Sequence, residues 1–222
     1  MTGALGRHAL AVDPVALEMA FEHAFVTFNE AWAANRQYTS ADAGGDVIDR
    51  LGLDLAPDQR ADVVASFVNG AARLDTRLTE HVAETLEALK ERDIGLAIVC
   101  DVGLTPSPVL RGYLEAHGVL GLFDHWSFSD EVGHYKPARQ IFEHALAGLG
   151  GVAPGRAAHV GDLRRTDVAG ARAMGMTAVR YRGANDDHGR PPSDSAPVGI
   201  ELPEGDHVIS DHLELLAALG LD

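Results

Sequence analysis

The amino-acid sequence predicts an α/β protein: a Rossmann-like, mostly parallel sheet with crossover helices, joined to a small all-helical region. Three observations carry this. Residues 1–75 hold helical patterns without a convincing strand; from residue 79 onward short apolar runs alternate with amphipathic ones; and the residues capable of chemistry follow directly on the apolar runs. Such alternation is the mark of an open parallel sheet with crossover helices. At 222 residues the chain is long enough for one substantial core plus a satellite. We expect a helical region over 1–76 and an α/β core over 77–222.

From Pro14 to Asn35 the residues Val15, Leu17, Met19, Phe21, Phe25, Phe28 and Trp32 fall largely at helical spacing, with Asp13 as cap and Pro14 in the first turn. Further helices are expected over Ser40–Leu51 and Pro57–Arg73, separated by the break at Gly52–Pro57. Thr79 caps a helix to Arg92 whose Val82, Leu86 and Leu89 share a face, and Ile94–Cys100 reads as a buried parallel strand. A helix over Pro106–His117, a strand over His125–Ser129, a helix over Ala138–Leu149 and a strand over Ala157–Val160 follow. The last expected elements are a helix over Thr166–Met174, strands over Thr177–Tyr181 and His207–Ile209, and a helix over Asp211–Leu219. Between Gly183 and Gly205 the density of Gly, Pro, Asp and Ser predicts a mobile surface loop. Its Asp186, Asp187 and His188 invite comparison with a metal cluster, but a solvated acidic loop is the better reading.

A formal charge of −15, from 33 acidic and 18 basic residues, disfavours nucleic acid as a partner. A small phosphorylated molecule stays compatible, because one lysine, backbone amides and a divalent cation can reverse the local field. No apolar run approaches the roughly 20 residues that cross a bilayer, so no membrane association is expected. Cys100 is the only cysteine, which excludes an intramolecular disulfide. With no signal-like N-terminal segment, a cytoplasmic location is expected.

In open α/β sheets the ligand lies beyond the carboxyl ends of the strands. Three stretches occupy that position here: Cys100–Pro106, Gly133–Pro137, and Gly161–Asp162 with Asp167 five residues on. Asp162 and Asp167 flank a short turn, where two carboxylates can converge on one hard cation such as Mg²⁺, or can simply cap a helix start. Lys136, ahead of Pro137 at a strand-to-helix junction, points its ammonium at the ligand edge; an ordinary solvated lysine is the competing reading. In "CDVGLTPSP", Thr105 and Pro106 open a helix whose free amides suit an anion. Cys100 has no Cys/His architecture around it and reads as a small buried strand residue rather than a nucleophile.

These stretches resemble the second, third and fourth motifs of the haloacid dehalogenase superfamily. "GLAIVCDVG" resembles the strand ending in Ser/Thr, "VGHYKPARQIF" the lysine-proline motif, and "HVGDLRRTDVAGARAMGM" the GDxxxxD motif. The likeness spans residues 79–182, and the helical start resembles the family's inserted cap. It implies a Mg²⁺-dependent phosphatase acting on a small phosphate ester through an aspartyl-phosphate. Asp162 would bind Mg²⁺, Asp167 would support the metal and its waters, and Lys136 would stabilise phosphate and nucleophile. Cys100 stands where a hydroxyl donor is expected, followed by Asp101 where an amide often lies.

The family's first motif, an apolar strand ending in Asp-x-Asp-x-Thr, has no counterpart in the chain. Asp13 is followed by Pro-Val-Ala-Leu and lacks the second aspartate and the hydroxyl. The motif is expected upstream of Met1, on a strand flanked by those ending at Cys100 and Val160. A vacant strand position there, or Ala9–Val12 pressed into it, is the structural expectation, with negligible phosphatase activity for the chain alone. A metal-free 2-haloacid dehalogenase and a non-catalytic binding protein with the same fold are the alternatives.

Overall fold

The computed structural model describes residues 1–70, 75–187 and 202–222. The chain divides into two compact units, 1–75 with 102–112, and 76–101 with 113–222.

The first unit is helical among its described residues: α1 (Thr2–Arg7), α2 (Pro14–Ala33), α3 (Ser40–Arg50) and α4 (Pro57–Val68). Asp13 accepts a bond from the Val15 amide at 3.2 Å, satisfying a donor that the first turn of α2 cannot pair, and Pro14 follows without losing a bond. Thr39 and Asp42 cap α3 reciprocally, each side chain taking the other's backbone N–H. Arg60 of α4 grips Asp49 of α3 at 2.6 and 2.9 Å, and Ala43, Val47, Ile48 and Val63 are buried between these helices.

The buried face of α2 differs from the expected one. Leu17, Ala20, Ala24 and Ala31 are buried, while Val15, Met19 and Phe25 are 61%, 56% and 56% exposed. Leu17 and three alanines take the inner face, where small residues let the neighbouring backbone approach, Phe21 and Phe28 pack partly against it, and Val15, Met19 and Phe25 are turned outward. Ala9–Val12 is not a strand: Leu10 packs beside Ile48 and Val63, and Val12 reaches both apolar clusters of this unit.

The second unit is α/β. Its strands are β1 (Ala97–Cys100), β2 (His125–Phe128), β3 (Ala158–Gly161), β4 (Thr177–Tyr181) and β5 (His207–Ile209). They form two sheets rather than one: β1 pairs with β2, and β3, β4 and β5 pair in that order, all parallel. Registers run Ala97↔His125 to Cys100↔Phe128, and Ala158↔Thr177 to Gly161↔Arg180.

The helices of this unit are α5 (Val82–Glu91), the end of α6 (Ser107–Ala116), α7 (Ser129–Val132), α8 (Arg139–Gly148), α9 (Ala169–Met174) and α10 (Glu214–Ala218). Ile141, Phe142 and Leu146 of α8 gather Val99 of β1 and Ala157 beside β3 into one cluster, so both sheets rest on the same helix. Leu89 of α5 and Leu215 of α10 form a second cluster with Val179 and Ile209, joined by Leu96 and Val160. Fully burying a side chain such as Ile141 or Ile209 contributes about 1.5–3 kcal/mol, and these clusters hold the two sheets in one unit.

β1 was expected to be buried, yet all four of its residues are only partly so, and Ala158 of β3 is exposed, whereas Ala178, Val179 and Arg180 of β4 are buried. The difference follows from pairing: β4 has a neighbour on each side, while β1 and β3 each have one. Three local expectations also change. Thr79 does not cap α5; its hydroxyl lies 2.9 Å from His212 Nε2, and His81, at φ 56°, precedes the helix. Pro137 lies in a turn after a cis Lys136–Pro137 bond, and α8 begins at Arg139. The expected helix from Thr166 opens instead as a π-helical turn over Arg164–Val168 that leads into α9. Residues 188–201, within the loop expected to be mobile, lie outside the described residues, as does the expected end of the third helix at residues 71–74.

Candidate active site

Cys100, Asp101, Lys136, Asp162 and Asp167 all belong to the second unit, and their positions follow from where strands end. β1 ends at Cys100, and Asp101 is the next residue. Its Oδ1 accepts the Lys136 backbone N–H at 2.8 Å, which fastens the lysine-bearing turn to the end of β1. β3 ends at Gly161, Asp162 follows, and the π-helical turn carries Asp167 back over the strand. A Cβ on Gly161 would fall 2.3 Å from Asp167 Cγ, so only glycine leaves room for this carboxylate. Gly170 acts similarly one turn on: a Cβ there would meet the Phe142 ring at 2.5 Å and Pro137 Cα at 3.3 Å. The close approach of α9 to α8 brings the lysine turn and the acidic turn together.

The centre of the cluster is Asp167, which is 2% exposed. Its Oδ1 accepts from Lys136 Nζ at 2.6 Å and from His159 Nε2 at 2.8 Å, and its Oδ2 from the Leu163 N–H at 3.0 Å. Burial by itself would raise its pKa, but the Lys136 ammonium and the His159 bond overcome that and hold Asp167 well below the usual carboxylate range. Lys136 responds in kind: burial disfavours its charge, yet Asp167 and Asp101 raise it above its ordinary value. Asp162 is pushed the other way, upward, by burial and then by the neighbouring Asp167 charge. One carboxylate is therefore firmly ionised and bonded on both oxygens, while the other is crowded by negative charge.

Cys100 is partly exposed rather than buried as expected. Its Sγ lies 3.6 Å from the Asp101 carbonyl oxygen, and burial pushes its thiol up to about 11. It stays a thiol near neutral pH, a weak donor and a poor nucleophile.

His159 was missed by sequence reasoning. It lies on β3 two residues before Gly161, 8% exposed, with its ring edge-on to Phe142 at a centroid distance of 5.1 Å. The two-residue period that places Gly161 against Asp167 places His159 on the same face, and that was the available signal. Asp13, in the first unit, caps α2. Asp186 and Asp187 are not merely solvated: Asp186 and Glu204 pair with the fully buried Arg180 of β4, Asp187 O accepts from Arg180 at 2.8 Å, and Asp187 Oδ2 accepts the Arg164 N–H at 2.7 Å. His188 lies outside the described residues.

Beyond the strand ends, a parallel α/β unit thus gathers a lysine, a buried carboxylate and a second carboxylate. The chain belongs to the haloacid dehalogenase-like hydrolase family, whose model matches residues 7–175. It is 28% identical over 223 aligned positions to the human haloacid dehalogenase-like hydrolase domain-containing protein 3, covering 96% of this chain and 82% of the relative. It is also 28% identical to the ribulose-1,5-bisphosphate 5-phosphatase of Halopiger xanaduensis, over 75% of this chain and 72% of that protein. Among solved structures, a haloacid dehalogenase-family phosphatase from Thermococcus onnurineus superposes with a TM-score of 0.59 at 24% identity, covering 94% and 90% of the two chains. That likeness speaks to fold alone. Among the described residues no helix is long and apolar enough to cross a membrane.

Proposed function

We propose that this chain carries the phosphate-handling and metal-supporting part of a Mg²⁺-dependent phosphatase of small phosphate esters. The observation that carries the reading is the opposed state of its two carboxylates. Asp167 is bonded to Lys136 and His159, while Asp162 is raised by burial and by the charge of Asp167. Such a crowded carboxylate is suited to a hard cation, which one or two carboxylates and waters suffice to hold. With both Asp167 oxygens already accepting bonds, Asp162 would bind directly and Asp167 would position its surroundings. When bound, Mg²⁺ would neutralise the phosphoryl oxygens.

Lys136 would hold a phosphate oxygen. Its charge is secured by Asp167 and Asp101, and its turn is fixed to β1 through Asp101. The Cys100 thiol would offer only a weak donor to the same phosphate. Asp13 caps a helix of the first unit, which supports an attacking carboxylate from elsewhere. It would arrive on a strand seated between β1 and β3, each of which pairs on one side only among the described residues. There a carboxylate oxygen would bond to phosphorus as the ester P–O bond breaks and the alcohol takes a proton. Water would then cleave the acyl phosphate. The ribulose-1,5-bisphosphate 5-phosphatase among the relatives supports a phosphate-ester substrate.

The deciding experiment assays aryl phosphate hydrolysis with Mg²⁺ in the 222-residue protein and in protein expressed with the codons upstream of Met1. Turnover only in the longer form, lost in Lys136→Ala and Asp162→Asn, is expected. Turnover in the short form abolished by Asp13→Asn overturns the assignment of the nucleophile. Phosphate binding without hydrolysis in both forms favours a non-catalytic role.

A further inference from the structure

A second group of chemically capable side chains lies at the opposite end of the strands. His125 is the first residue of β2, and Lys136, Asp162 and Asp167 follow the carboxyl ends of β2 and β3. His125 Nε2 is 3.2 Å from His144 Nδ1 of α8, with ring centroids 4.7 Å apart and planes inclined at 44°. Ser127, on the same face of β2, places its hydroxyl 2.8 Å from the same Nδ1. The seat for His125 is made by Gly148, one turn beyond His144, where a Cβ would fall 2.1 Å from the imidazole ring.

An imidazole nitrogen offers one proton or one in-plane lone pair. His144 Nδ1 nevertheless has two partners. If it is protonated, its single hydrogen serves Ser127 or His125; if bare, two donors compete for a single lone pair. A cation satisfies both ring nitrogens at once. Imidazole nitrogens about 2.0–2.1 Å from a tetrahedral zinc ion stand roughly 3.3 Å apart, close to the spacing found here. His144 is exposed and His125 partly so, leaving the remaining coordination positions to water.

We propose that His125 and His144 form a two-imidazole site for a borderline transition-metal cation of the zinc or copper(II) class. Imidazole ligands select these ions over Mg²⁺. The site is separate from the carboxylates at the other strand ends and independent of the activity proposed for them.

The test is calorimetric titration of the 222-residue protein with zinc, in excess Mg²⁺ to occupy carboxylate sites, with copper(II) electron paramagnetic resonance in parallel. A single-site binding phase and a two-nitrogen copper signal are expected in wild type and in the exposed control His207→Gln. Both should be lost in His125→Gln and in His144→Gln. A phase that survives in the double variant, or binding weaker than about 1 mM, overturns the proposal. If the double variant lacks a cooperative melt, ring nitrogen-15 resonances of the wild type decide. His125 Nε2 and His144 Nδ1 shifting together supports the site; zinc binding that moves neither refutes it.

Discussion

Lys136 and Asp167 form a buried ion pair across 2.6 Å, their side chains 12% and 3% exposed, on a carboxylate oxygen that His159 also shares. Removing one partner of a buried pair strands the other charge, which costs about 3–5 kcal/mol, whereas replacing both with apolar groups is often nearly neutral. Lys136→Met should therefore lower the urea midpoint strongly, and Lys136→Met combined with Asp167→Leu should recover much of the loss. Additive losses in the double variant would show that the pair is not coupled. The pH dependence has a definite sign. Because the folded state depresses Asp167, its contribution is present above the unfolded carboxyl value of about 3.9. It is lost as pH falls through the lower folded value, so Asp167→Asn should flatten the acid limb of stability.

Asp162 has the opposite sign. Its pKa is raised in the folded state, so its contribution is most favourable below about pH 3.9 and is lost as pH rises through the folded value. At neutral pH the ionised group opposes folding. Asp162→Asn should raise the Tm at pH 7. Mg²⁺ should raise the Tm of wild type and leave that of the variant nearly unchanged. Equal Mg²⁺ responses in the two proteins would remove Asp162 as a ligand.

Gly161→Ala tests whether the glycine of the acidic motif is there for space. Its Cβ would collide with Asp167 at 2.3 Å, and the carboxylate, bonded on both oxygens, cannot swing aside without losing Lys136 or the Leu163 N–H. Overpacking of this kind costs about 1–3 kcal/mol. We expect a destabilised fold by denaturant titration, with the acid-limb behaviour of Asp167→Asn. An unaffected acid limb would mean that Asp167 keeps its bonds.

Cys100, as the only cysteine, can be followed by mass spectrometry. With its thiol pushed up to about 11, the thiolate is scarce near pH 8, about a hundred-fold or more below a free thiol of ordinary value near 8.5. Iodoacetamide should label it slowly, at a rate still rising above pH 9. Cys100→Ser supplies a true hydroxyl donor, and in an active longer form it should tighten inorganic phosphate inhibition by about ten-fold. Rapid labelling at pH 7 would contradict the environment described here.

The sequence by itself determined the order of the strands and longer helices from Pro14 onward, and the placing of Cys100 at, and of Asp101 and Asp162 just beyond, a strand end; Lys136 instead follows the short helix α7, which the local pattern did not show. These are local properties: an apolar period, a cap and a glycine act within a few residues of chain. The tertiary structure decided which face of α2 is buried, that five strands pair as two sheets, and that His159 joins Lys136 on Asp167. It also decided the opposite shifts in acid strength of Asp162 and Asp167, and the meeting of His125 with His144. Packing, strand pairing and acid strength are sums over groups distant in the chain, such as Lys136 and Asp167, 31 positions apart. No local pattern contains such a sum, and only the folded arrangement evaluates it.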